Sequence, residues 1–148
     1  MFSREGINSN LLTLMKRDPP PLEITEFHHQ DFESPYSEQS IFAAAIKKQY
    51  CEDGLFFWIK TLQAQDWSGR EERFIPYAES ALCEPIGKDV FDETVKEYSI
   101  SLERRLPDSV CETDGYRTGL RMYNNWNDVA VVAELDESFV AFYWCTTA

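Results

Sequence analysis

The sequence is poor in most of the residues that carry recognisable chemistry. Six glycines in 148 residues leave no glycine-rich loop to cradle a phosphate. The two histidines, His28 and His29, are adjacent, so on a strand they would point to opposite faces. With Asp31 and Glu33 nearby they have the residue types of a general base or a metal site, but the spacing matches no ligand pattern. A surface or core-edge place is expected for them. Cys51, Cys83, Cys111 and Cys145 include no C-x-x-C pair. That argues against a zinc site and a disulfide framework, and for reduced, mostly buried thiols. Cys145 sits in an apolar run, where a thiol is expected to be inert. No apolar run approaches the roughly 18 residues of a membrane span. The start of the chain lacks the order of a signal peptide, so it reads as cytoplasmic. Neither an EF-hand calcium loop nor a basic patch interleaved with aromatics is present. Lys47-Lys48 and Arg104-Arg105 are short and surrounded by acids. No catalytic residue, metal ligand or cofactor is therefore assigned.

Acids and aromatics are what the chain has in quantity. Twenty-six acidic residues face fourteen basic ones, a net charge of −12. Such a charge repels nucleic acid and anionic membranes, and it speeds encounter with a basic protein. It also serves plain solubility. An aromatic content of 14% excludes general disorder. A chain of this length fits one domain and buries about two-thirds of its unfolded surface without staples.

The last thirty-odd residues carry the clearest pattern. Tyr116–Tyr123, Asp128–Glu134 and Phe139–Thr146 read as three successive strands. Asn124 and Asn125 make the first turn and Leu135 to Ser138 the second. The second strand has Val129, Val131 and Ala133 on one side and Ala130, Val132 and Glu134 on the other. The third alternates Phe139, Ala141, Tyr143 and Cys145 with Val140, Phe142 and Trp144. Both faces are apolar. Either the domain covers both, or one is held for a partner.

Upstream, Asn10–Lys16 predicts a short helix capped by Ser9, stopped by Pro19-Pro20-Pro21. Residues 1 to 21 read as an N-terminal arm, loosely attached. Leu22–His28 alternates like a short edge strand, and Gln30–Ser37 reads as a loop. Glu38–Cys51 predicts a helix, with Phe42 and Ile46 on one face and Ala43 to Ala45 favouring it. Leu55–Ala64 fits either a helix or a buried strand. Helix is preferred there, with two antiparallel helices meeting at Gly54. Asp66–Glu72 is a loop. Phe74, Tyr77, Ala78, Ala81 and Leu82 have helical spacing, with Pro76 in the first turn and Pro85 as the end. Asp89–Leu106 predicts a helix along Phe91, Val95, Tyr98, Leu102 and Leu106, capped by Asp89. The alternation over 98–102 leaves a strand open for its second half. Asp108–Gly115 is loop. The whole reads as one α+β domain: helices packed on one face of an antiparallel sheet, ending in a three-stranded meander.

Acids and aromatics meet around that meander. Tyr123, Trp126, Asp128, Glu134, Asp136, Glu137 and Trp144 are the candidate partner-binding residues, since Trp and Tyr supply hot spots and acids steer a basic partner. The profile resembles that of immunity proteins, which neutralise bacterial toxins in the producing cell; no residue motif is carried over. The resemblance implies an inhibitor of a basic protein such as a toxin domain, acting as a monomer or weak dimer. Two other functions stay open. One is a small hydrolase-like enzyme using His28 or His29 with nearby acids, which requires a concave pocket holding a histidine and a perturbed carboxylate. The other is a subunit or adaptor of a larger assembly.

Overall fold

In a computed structural model, which describes residues 1–33 and 38–147, the chain builds a six-stranded antiparallel sheet with five helices. The strands are β1 (Glu23–Phe27), β2 (Gln39–Lys47), β3 (Glu84–Ile86), β4 (Tyr116–Asn125), β5 (Asp128–Leu135) and β6 (Ser138–Thr146). Their order across the sheet is β1-β2-β6-β5-β4-β3. The helices are α1 (Arg4–Met15), α2 (Gly54–Gln63), α3 (Phe74–Glu79), α4 (Lys88–Tyr98) and α5 (Asp108–Cys111). None is long and apolar enough to cross a membrane.

The meander is present as β4, β5 and β6. Its first turn is displaced: Asn124 and Asn125 remain in β4, Asn125 faces Asp128, and Trp126-Asn127 form the two-residue turn. Gly119 faces Ala133 in a crowded part of β4, where a Cβ would meet the Tyr116 hydroxyl and the Val132 carbonyl.

Helices cover both faces of the sheet, where the sequence predicts one. Ala130, Val132, Phe139, Ala141 and Tyr143 pack beneath α1, α2 and α3. Val131, Ala133, Val140 and Phe142 pack beneath α4 and α5. The two-sided apolarity of β5 and β6 is thus satisfied within the domain.

The largest correction falls on Glu38–Cys51. It contains a nine-residue strand, β2, inserted between β1 and β6, so no helical hairpin forms at Gly54. Ile41, Ala43 and Ala45 enter one core, and Phe42, Ala44 and Ile46 the other. A run apolar in every direction suits a central strand as well as a buried helix. The three alanines offer a helix about 2 kcal/mol over typical strand residues. Burying Ile41, Phe42 and Ile46 is worth about 1.5–3 kcal/mol each, so packing decides. The alanines also leave room for helices to approach the sheet.

The N-terminal segment is not a loose arm. Ser3, rather than Ser9, caps α1, its side chain accepting from the Gly6 amide at 3.1 Å. Ile7, Leu11 and Leu14 are buried against α2. The helix expected over 55–64 is α2, started by Asp53, whose carboxylate accepts from the Leu55 amide at 2.9 Å. Its one buried cation, Lys60, donates to the Met15 carbonyl at 3.2 Å, to Gln63 Oε1 at 2.8 Å and to the Arg17 carbonyl. It thereby satisfies the carbonyl end of α1. Helix α3 stops at Glu79, and Pro85 lies in β3 instead of closing a helix. β3 is an edge strand, where a missing N–H is tolerated. Helix α4 starts after Gly87 rather than at Asp89 and ends at Tyr98, short of Leu106. Residues 99–102 turn back so that Leu102 bridges Phe32, giving neither helix nor regular strand. A single helical turn, α5, interrupts the loop expected over 108–115. In the loop expected over Gln30–Ser37, His29–Asp31 makes one 3-10 turn; residues 34–37 lie outside the described residues.

Candidate interaction groove

The meander brings some of the candidate residues together and separates others. β5 runs from Asp128 to Leu135, a span of about 24 Å at ~3.4 Å per residue. Trp126, Asp128 and Trp144 lie at one end of it. Glu134, Asp136 and Glu137 lie at the other, around the β5–β6 turn. At that far end Glu134 pairs with Lys48 at 2.7 Å, and Asp136 with Arg117 at 2.8 Å. These two acids are already compensated by the chain's own bases. Tyr123 is 3% exposed, which removes it from any contact surface. The face of β4 that carries it packs beneath α2 and α3.

At the near end β2 begins and β6 ends, and a groove of about 180 Å³ opens there. Phe27, Phe42, Tyr143 and Trp144 are among the residues that line it, with Phe42 and Tyr143 directed to the α1–α3 side of the sheet and Phe27 and Trp144 to the other. Trp144 is pinned by its indole N–H, which donates to Gln39 Oε1 at 2.8 Å, and by Tyr98, whose ring centre is 4.8 Å away. Glu26, Asp66 and Asp128 bring carboxylates from β1, the loop after α2, and β5. Register explains the convergence: Asp128 faces Cys145, which in turn faces Ser40 on β2, and Phe42 faces Glu26. Trp126, two residues ahead of Asp128, is 74% exposed.

An aromatic stack lies under this end of the sheet. Tyr77 and Tyr123 stack at 4.2 Å, and Trp58 and Tyr143 at 5.0 Å. The Tyr123 hydroxyl donates to the Tyr77 carbonyl at 2.7 Å, and Tyr143 shares a 2.9 Å hydrogen bond with Thr61. The Tyr77 hydroxyl donates to Asp128 Oδ2 at 2.7 Å. Burial pushes the Asp128 carboxyl above its ordinary range, and the Tyr77 hydroxyl opposes this. Burial also raises the phenols of Tyr77, Tyr123 and Tyr143, with the Asp128 charge adding to it. All three stay protonated. Asp66 behaves in the opposite way. The Ser68 amide and side chain hold its carboxyl below the usual range.

The remaining groove residues are mixed in character. Exposed His28 lines it, whereas His29 does not. Cys145 is exposed, contrary to expectation, and its Sγ lies 2.9 Å from Ser40 Oγ. Of the four cysteines, all free, only Cys51 is buried. Arg70 has its guanidinium carbon 5.3 Å from the centre of Trp67 and donates to the Asp66 carbonyl at 3.0 Å. Gln65 Nε2 is buried with no hydrogen-bond partner among the described residues. No three His, Cys, Asp or Glu side chains among the described residues lie close enough to hold a metal ion.

Trp126 and Asp128 were legible in the sequence as an exposed aromatic beside an acid. Glu26 and Asp66 were not, because they reach the groove from elements far apart in the chain. No family model matches this chain, and no curated protein or solved structure matches it either.

Proposed function

We propose that this protein binds and inhibits a basic protein, in the manner of an immunity protein or antitoxin acting on a toxin domain in the cytoplasm. The observation that carries the reading is the open end of the sheet. There an exposed Trp126 lies two residues from Asp128, in a groove to which Glu26, Asp66 and Asp128 bring carboxylates. Interface anchors are typically aromatic, and complementary charge speeds association and sets register. The net charge of −12 supplies long-range attraction toward a basic partner.

The test is co-expression with the products of neighbouring genes, then titration of any basic product with the purified protein at low and moderate salt. A tight complex whose association slows as salt rises, and which Trp126→Ala weakens, is the expected result. Absence of binding to every basic neighbour at both salts overturns the reading.

A second reading has one observation in its favour: His28 and Asp128, a histidine and a carboxyl of raised pKa, line the same groove. That meets the requirement of a small hydrolase-like enzyme. Hydrolysis of ester, amide or phosphate substrates that disappears in His28→Ala, while the fold persists, would favour it over inhibition.

A further inference from the structure

We propose that the free edge of β1 (Glu23–Phe27) is the docking line for an extended strand of the basic partner, which continues the six-stranded sheet beyond β1. The inference goes beyond the groove and rests on the reading that the partner is a basic protein.

The two edges of the sheet differ. β3 forms one edge with three residues, and its central Pro85 has no N–H to offer a neighbour. β1 forms the other with five residues, no proline and an unbroken register against β2. In an antiparallel pair every second residue turns its N–H and C=O away from the partner strand. On β1 those groups face outward. Among the described residues, none of Glu23–Phe27 makes a main-chain hydrogen bond outside the sheet. Only Phe27 of the five is buried. An extended chain laid along such an edge gains main-chain hydrogen bonds, and side chains at alternate positions select it.

Charge decides between a second copy and a basic strand. From Asp18 to Ile46 the chain has Asp18, Glu23, Glu26, Asp31, Glu33 and Glu38 but no Lys or Arg. Glu23 and Glu26 are exposed and belong to no ion pair among the described residues. Arg104, at the Phe27 ring, pairs with Asp31 at 3.5 Å. Arg70, which shares the groove with Glu26, donates to the Asp66 carbonyl at 3.0 Å. Edge-to-edge pairing of two copies would join two acidic strands with no base in either, and the net charge of −12 on each copy adds to the repulsion. Register sets the pattern that the edge reads. Ile24 and Glu26 lie opposite Ala44 and Phe42, on the α1–α3 side. Glu23 and Thr25 lie opposite Ala45 and Ala43, on the α4–α5 side. The matching strand carries bases across from Glu23 and Glu26, and an apolar residue across from Ile24, which is 43% exposed.

The experiment uses the full chain, isotopically labelled, titrated with the capped peptide acetyl-Thr-Lys-Thr-Val-Lys-Thr-amide and followed by NMR and amide hydrogen exchange. Laid antiparallel, the peptide sets its lysines against Glu26 and Glu23 and its valine against Ile24. Saturable shifts and added exchange protection centred on Glu23–Phe27 are expected. N-methylation of alternate peptide residues should abolish binding in one frame and spare it in the other. The peptide with glutamate in place of both lysines should not bind. The charge-reversed variant Glu23→Lys/Glu26→Lys, altered only at exposed positions, should bind the lysine peptide about tenfold more weakly and acquire binding of the glutamate peptide. No saturable shift, shifts centred elsewhere, equal effects of the two N-methylated frames, or an unchanged preference in the charge-reversed variant would each overturn the proposal. Sedimentation showing that the chain dimerises through this edge would do the same. The two readings fail separately. If a basic partner is captured with the same affinity by wild type and charge-reversed variant, inhibition stands and the β1 edge falls. If the lysine peptide docks on β1 but no basic neighbour binds, the edge stands and the toxin partner falls.

Discussion

Asp128 is the residue whose replacement tests the groove most directly. Its carboxyl is half-buried and accepts one hydrogen bond, from Tyr77 at 2.7 Å. Burial raises its pKa above the ordinary 3.8, against the effect of that hydrogen bond. The folded protein therefore holds this proton more tightly than the unfolded chain does. The associated stability is fully present below the unfolded pKa and is lost as pH rises through the folded one. At neutral pH the ionised group is a standing cost. In Asp128→Asn the amide oxygen keeps the Tyr77 hydrogen bond without the charge. A hydrogen bond to an ion contributes about 1.5–3 kcal/mol and a neutral one about 1, so roughly 1 kcal/mol is lost there. Removing a carboxylate from partial burial recovers more, because desolvation of an ion costs several kcal/mol. The balance is a gain of about 1 kcal/mol at neutral pH, or a melting temperature higher by about 2–4 °C. Urea unfolding followed by tryptophan fluorescence, at neutral pH and again at a pH below the ordinary 3.8, measures it. The advantage over wild type should shrink toward acid, where Asp128 is protonated in both states. A variant less stable than wild type at neutral pH, or a difference independent of pH, would refute the reasoning. A stabilised variant that also binds the basic partner less well would mark a site kept at the expense of stability.

Other perturbations probe separate links. Lys60→Met should cost about 2–3 kcal/mol in urea unfolding. It leaves the Arg17 carbonyl and Gln63 Oε1 without their donor, while the Met15 carbonyl keeps the Gln63 amide, and that loss outweighs relief of a buried charge. Gly119→Ala should destabilise by about 1–3 kcal/mol, because the new methyl displaces Tyr116 and breaks its 2.7 Å hydrogen bond to the Ile86 carbonyl. Thermal melting checks it, and a neutral result would mean that β4 yields at this point. Trp126→Ala should change stability by no more than about 0.5 kcal/mol, since the side chain is 74% exposed. It should nevertheless weaken the partner complex by about 2 kcal/mol or more, measured by calorimetry.

The candidate site was half legible. A turn between two strong strands shows itself in sequence, so Trp126 and Asp128 could be placed beside each other. What sequence spacing could not show is which acids share an end of the sheet. Glu134 and Asp136 are near Asp128 in the chain, yet they sit at the opposite end of β5 with Lys48 and Arg117 upon them. Glu26 is about a hundred residues from Asp128, and it reaches the groove through the β1–β2–β6–β5 pairing.

The sequence by itself determined the elements whose local signals agree. Alternation with β-branched and aromatic residues specified β5 and β6, and the apolar spacing over Leu55–Ala64 favoured the helix α2 without excluding a buried strand. The two-sided apolarity of β5 and β6 left open whether the domain covers both faces or holds one for a partner, and helices on both sides decide it. Tertiary structure alone decided Gln39–Lys47, where alanine propensity and the Phe42–Ile46 stripe point to helix. The physical reason is that propensity acts within a few residues and amounts to tenths of a kcal/mol at each. A central strand gains hydrogen-bonded neighbours on both sides and two apolar layers, and that larger stabilisation exists only once β1, β6 and the helices are in place.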